Sequence, residues 1–109
     1  MAVSQNGWQV LGGSFDGPFP RLRNWRIPGA TRQLPLRDGS AGFLLVHMAT
    51  WFDRNIEKID PGFDDWGWSP RRIGNTDVWS NHASGTAEDL NADRHPQGRS
   101  ASLSFSTLE

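Results

Sequence analysis

Apolar residues recur at helical spacing in only one long stretch of the chain. From Ala41 to Ile59, the residues Leu45, Met48, Phe52, Ile56 and Ile59 fall three or four positions apart, and Leu44 and Trp51 widen the stripe. The spacing predicts an amphipathic helix with this stripe on the core and with Asp53, Arg54, Glu57 and Lys58 mainly outside. Asp38-Gly39-Ser40 is a turn that ends in a good N-cap at Ser40, and Pro61-Gly62 is a stop. Elsewhere the pattern is short and of period two. Arg32 to Arg37 alternates, but Pro35 has no N–H to donate, which limits it to an edge strand. Trp8, Val10 and Leu11, and then Trp25 and Ile27 about Arg26, read as weak strands. They lie among Gly12-Gly13, Gly17-Pro18, Pro20 and Pro28-Gly29, so residues 1–30 are expected to be irregular structure wrapped on the domain. Thr86 to Asn91 also alternates. A strand there puts Ala87, Asp89 and Asn91 on one face and Glu88 and Leu90 on the other.

Composition narrows the picture. The 109 residues correspond to one domain, and 36% hydrophobic content with a mean hydropathy of -0.59 predicts a modest core. A net charge of -1 provides no electrostatic footprint for nucleic acid or an anionic membrane, and Arg21, Arg23 and Arg26 read as a solvated face. With no cysteine, disulfides, thiolate metal sites and thiol catalysis are excluded. Met1 to Gly7 is neither basic nor apolar, so no signal peptide is expected, and no apolar run approaches the ~20 residues of a membrane span. Six tryptophans without a tyrosine are expected mostly in the core, the alternative being a groove for sugar or peptide.

Candidate chemistry concentrates in Ser80-Asn81-His82-Ala83-Ser84-Gly85-Thr86-Ala87-Glu88-Asp89-Leu90-Asn91. His82 and Asp89 offer an imidazole nitrogen and a carboxylate oxygen, both good zinc donors at ~2 Å from the metal. Gly85 can turn the chain sharply after the histidine, and small Ala87 leaves room for an ion beside Asp89. His47, inside the helical stretch, reads as an ordinary helix-flank histidine. The string Ser-x-His-x-x-Gly-x-Ala-x-Asp-Leu resembles the signature of zinc D-Ala-D-Ala carboxypeptidases and related peptidoglycan endopeptidases. With His95-Pro96-x-Gly98 it looks most like the peptidase domains of bacteriophage endolysins.

The resemblance implies an α+β fold, with one main helix packed on a small antiparallel sheet, as in the hedgehog and D-Ala-D-Ala metallopeptidases. It implies metal-assisted hydrolysis of an amide in bacterial peptidoglycan, with zinc held by His82 and Asp89. A guanidinium fork binds a carboxylate or carbonyl at fixed charge, and Arg71 matches the family's arginine best, with Arg72 as the second choice. Ser80 matches a position that touches substrate backbone; capping the local turn is the alternative. A phage lysin without a signal peptide would reach the wall from the host cytoplasm through a separate pore protein.

The match is incomplete. The family's third ligand, a late histidine preceded by an acidic general base, has no counterpart after Asp89. His95 belongs to the His-Pro-x-Gly loop, where the family places no ligand, although its separation from Asp89 does not forbid coordination. The serine-rich tail from Arg99 to Glu109 resembles nothing in the family, so the expectation is a domain lacking its C-terminal part. Glu88 also departs from the family, which carries an apolar residue there facing the core. The competing readings are a catalytically incompetent remnant with weak metal or wall binding, and a tryptophan-rich carbohydrate-binding module.

Overall fold

The computed structural model describes residues 2–30, 33–59 and 65–91, together with the backbone of 102–104. The chain is α+β. β1 (Leu22–Arg26) and β2 (Gln33–Arg37) form an antiparallel hairpin in which Leu22 pairs with Arg37 and Trp25 with Leu34. Helix α1 (Ser40–Asn55) follows directly. A 3-10 turn at Asn81–Ser84 then leads into β3 (Ala87–Asp89), which pairs antiparallel with β4 (Ser102–Ser104), Asp89 lying opposite Ser102. Pro35 is tolerated within β2 because the strand's outer edge pairs with loop segments rather than with a further strand. There the Pro35 carbonyl accepts from the Trp68 amide, and the Arg37 amide donates to Gly85 O at 2.8 Å.

The core is aliphatic. Ile27, Leu34, Leu36, Leu45, Ala49, Phe52, Ile59 and Leu90 enclose it, so the hairpin, one face of α1 and the end of β3 meet there. None of the six tryptophans is fully buried, which corrects the expectation that most would fill the core. Trp51 and Trp66 are exposed, while Trp8, Trp25, Trp68 and Trp79 are half-buried.

Helix α1 presents a different face to the core from the one its large apolar residues suggest. Ala41, Gly42, Leu45, Ala49 and Phe52 point inward, whereas Leu44, Met48, Trp51 and Ile56 are exposed. Close approach decides this. A side chain at Gly42 would run into the Arg37 carbonyl and the Trp25 indole, so the helix sits on the hairpin through its small residues. Asp53, expected outside, is buried, and its carboxylate accepts from the Ile59 amide at 2.8 Å and from Lys58 Nζ at 3.1 Å. Those bonds turn the chain off the helix axis, and α1 ends at Asn55 rather than Ile59. Pro61-Gly62, the expected stop, lies outside the described residues. Ser40 is the first helical residue and not the N-cap; Gly39 holds that position at φ 101°, and no side chain caps the helix. No helix among the described residues is long and apolar enough to cross a membrane.

Candidate metal centre

The site is built on a short turn held from several sides. Ser80 caps it: the hydroxyl oxygen accepts from the His82 amide at 3.2 Å. Gly85 closes it at φ 71°, donating its N–H to the Asn81 and His82 carbonyls. A Cβ at Gly85 would lie 2.6 Å from the Arg37 amide, so both the backbone angle and the close strand require glycine. Beneath the turn, Ser4, Asn6, Ser84 and Thr86 form a buried polar cluster. Ser4 Oγ meets Ser84 Oγ at 2.8 Å, Asn6 Nδ2 donates to Thr86 Oγ1 at 2.9 Å, and the Asn6 amide donates to Asn81 Oδ1 at 2.9 Å. Ser84 and Thr86 hydroxyls are joined at 2.8 Å, so no member is left without a bond. The N-terminal segment is therefore part of the scaffold of the turn. Arg37 ties the turn to β2, donating to Ser84 O at 3.2 Å and Gln9 O at 3.0 Å with its guanidinium against the Trp8 and Phe19 rings.

On the other side, residues 66–71 run along the turn and β3. Trp66 and Asp89 exchange backbone bonds of 2.9 and 2.8 Å, the Ser69 amide donates to His82 O at 3.1 Å, and the Ser80 amide to Arg71 O at 3.0 Å. The decisive contact is between Gly67 O and His82 Nδ1, at 2.7 Å. A carbonyl can only accept, so Nδ1 carries a proton and Nε2 is the ring nitrogen that faces Asp89. Metal-binding histidines are oriented in the same way, by donating the far ring N–H to a carbonyl or carboxylate.

Nε2 faces Asp89 Oδ2 at 3.2 Å. With the imidazole neutral, two lone pairs confront each other at that distance, an arrangement that calls for a proton or a cation between them. Two ligands of a tetrahedral zinc with bonds of ~2.0–2.1 Å sit roughly 3.3 Å apart, so the separation suits a shared metal as well as a direct hydrogen bond from a protonated ring. Arg71 reaches the same carboxylate oxygen, with Nη2 at 3.7 Å, and stays exposed. Arg72 does not join it: its guanidinium stacks on Trp79 at 4.6 Å and faces Asp77 at 3.9 Å.

The structure thus brings Arg71, His82 and Asp89 together, with Ser80 one turn of chain away and its oxygen already accepting from the His82 amide. Among the described residues there is no group of three or more His, Asp or Glu side chains able to hold a metal; His82 and Asp89 are a pair. His95 lies outside the described residues. Asn91, expected on the Asp89 face, turns inward instead. At φ 49° it leaves the strand, and its side chain donates to Glu57 Oε1 at 2.8 Å and Lys58 O at 2.9 Å.

Glu88 points away from the site. It is fully buried on the core face, and neither carboxylate oxygen has a hydrogen-bond partner among the described residues. Burial raises its pKa well above the ordinary carboxylate value, and the neighbouring charge of Asp89 adds to the rise. Buried and turned to the opposite face of β3, it is not positioned to act as a base beside Asp89.

Gly67, Ser4 and Asn6 belong to the site but lie outside the His82–Asp89 motif. Gly67 had a signal, since a lone glycine between two tryptophans in an extended segment marks a close backbone approach. No family model, curated protein or solved structure matches this chain.

Proposed function

We propose that the chain is a zinc-dependent peptidase of the phage-lysin type that hydrolyses amide bonds in the stem peptide or cross-bridge of bacterial peptidoglycan. The observation that carries the reading is the His82 Nε2–Asp89 Oδ2 pair at 3.2 Å, with the far ring nitrogen anchored on Gly67 O. The resemblance of residues 80–90 to the D-Ala-D-Ala carboxypeptidase and endopeptidase signature supports it, and an α+β frame is compatible with the hedgehog-like fold of that superfamily.

His82 and Asp89 would hold the ion, two of the three protein ligands that the family supplies; the family's late histidine has no counterpart in this sequence. When bound, zinc with an open position lowers the pKa of water toward ~7 and polarises a carbonyl. Arg71 presents a permanent positive charge at the edge of the pair, placed to attract a peptide carboxylate or the oxygen that becomes negative as the amide is attacked. The Ser80 oxygen accepts from the His82 amide, which leaves its own O–H to donate to substrate backbone.

Turbidity loss of a purified cell-wall suspension tests the proposal. Lysis by the 109-residue chain should stop with a chelator, return with zinc, and be abolished by His82→Ala and Asp89→Ala. Arg71→Ala should retain zinc and lose about 100-fold in rate. His95→Ala shows whether that residue completes the donor set. Undiminished lysis by both ligand variants would sink the metal reading. Zinc uptake without any lysis would favour the second reading, a metal- or wall-binding remnant, which the two-donor set among the described residues also fits.

A further inference from the structure

Trp66 and Asp89 form an isolated antiparallel bridge with both backbone bonds made. Residues directly opposite in such a pair project their side chains to the same face of the sheet. The neighbours obey the alternation: Asp65 and Gly67 are buried, as are Glu88 and Leu90 across from them, while Trp66 is 52% exposed. The indole therefore stands in solvent on the side of β3 that carries the Asp89 carboxylate, the oxygen shared by His82 and Arg71. Trp68 follows on the same face, but its ring is committed to the fold. Its Nε1 donates to Ala83 O at 3.1 Å, and its far edge lies against Gly13. Trp66 makes no such bond among the described residues. Its ring face is therefore open to a ligand on that side of β3.

We infer that Trp66 is a specificity-determining residue whose exposed indole, on the same strand face as Asp89, receives an apolar peptide side chain next to the scissile amide. The inference rests on the peptidase reading. Arg71 contributes charge at the same carboxylate, so an apolar group and an anionic group of one peptide can be held together across Asp89. Because Trp66 is exposed and pairs through its backbone, replacing its side chain leaves the fold and the metal donors intact.

Calorimetric binding of a purified soluble stem peptide to the zinc-supplemented chain tests this, with zinc content and melting temperature measured alongside. Trp66→Ala should weaken binding about tenfold, while Trp66→Phe keeps most of it and both variants keep wild-type zinc content and melting temperature. Equal binding by wild type and Trp66→Ala would overturn the role of Trp66 alone. Loss of zinc or of melting temperature in both variants would overturn it too, by making the residue structural. A wild-type chain that takes up zinc but binds no stem peptide would overturn the wall-peptide function together with this role.

Discussion

Glu88 and Asp89 are adjacent carboxylates, and β3 turns them to opposite fates. Asp89 faces outward, where His82 Nε2 and the Arg71 guanidinium lie at 3.2 and 3.7 Å. Glu88 faces the core and is fully buried, without a hydrogen-bond partner among the described residues. The same chemical group gains charged and polar neighbours or becomes a cost to stability according to which way one strand residue points. The alternation is enforced by both neighbours of β3, the Trp66 bridge on one edge and β4 on the other.

The contrast can be broken most severely at Gly67, which serves both faces. A Cβ there would run into the Pro35 carbonyl oxygen, and the backbone that must shift is the one that anchors His82. Gly67→Ala should lower stability by about 2 kcal/mol and weaken zinc binding at least tenfold, read by denaturant melts and zinc titration. On the core face alone, Glu88→Ile should raise stability by about 1–3 kcal/mol at pH 7, since an unsatisfied buried carboxylate is removed and zinc binding is untouched. An unchanged or lower melting temperature would contradict the buried placement.

The pH dependence sharpens the same point. The folded-state pKa of Glu88 is raised, so the folded chain keeps a proton that the unfolded chain has released. That contribution is fully present below the unfolded value near 4.5 and is lost as pH rises toward the folded value. The stability gap between Glu88→Ile and wild type should therefore narrow steadily as the pH is lowered from 7 toward 4.5. A constant gap would show that Glu88 does not titrate differently on folding. The smallest effect belongs to Ser80→Ala, which removes the cap of the site turn and should cost about 0.5–1 kcal/mol in thermal melts.

Much of this arrangement was legible from spacing. The alternation of Ala87, Glu88 and Asp89 put the two carboxylates on opposite faces, the family resemblance turned the Glu88 position toward the core, and Gly85 marked the turn. Helix α1 was legible as a helix but not in its orientation: apolar size points to Met48 and Ile56, whereas close contact with the Arg37 carbonyl and the Trp25 indole is possible only through Gly42 and its small neighbours. Its end was hidden for a similar reason, since Asp53 leaves the surface to bind the Ile59 amide. Asn91 also broke the expected period by adopting a left-handed angle that the pattern of polar and apolar residues does not register. The contributions of Ser4, Asn6 and Gly67 to the site come from residues 15 to 80 positions away, joined by backbone and hydroxyl bonds that leave no periodicity to read.

The central claim is that His82 and Asp89 share one divalent ion. Calorimetric zinc titration of the wild-type chain beside His82→Ala, Asp89→Asn and Glu88→Ile tests it most directly. The account predicts one zinc per chain, a loss of at least about 100-fold in affinity for the first two variants, and wild-type affinity for Glu88→Ile. Wild-type zinc affinity in His82→Ala and Asp89→Asn, or no zinc binding by the wild-type chain, would contradict it.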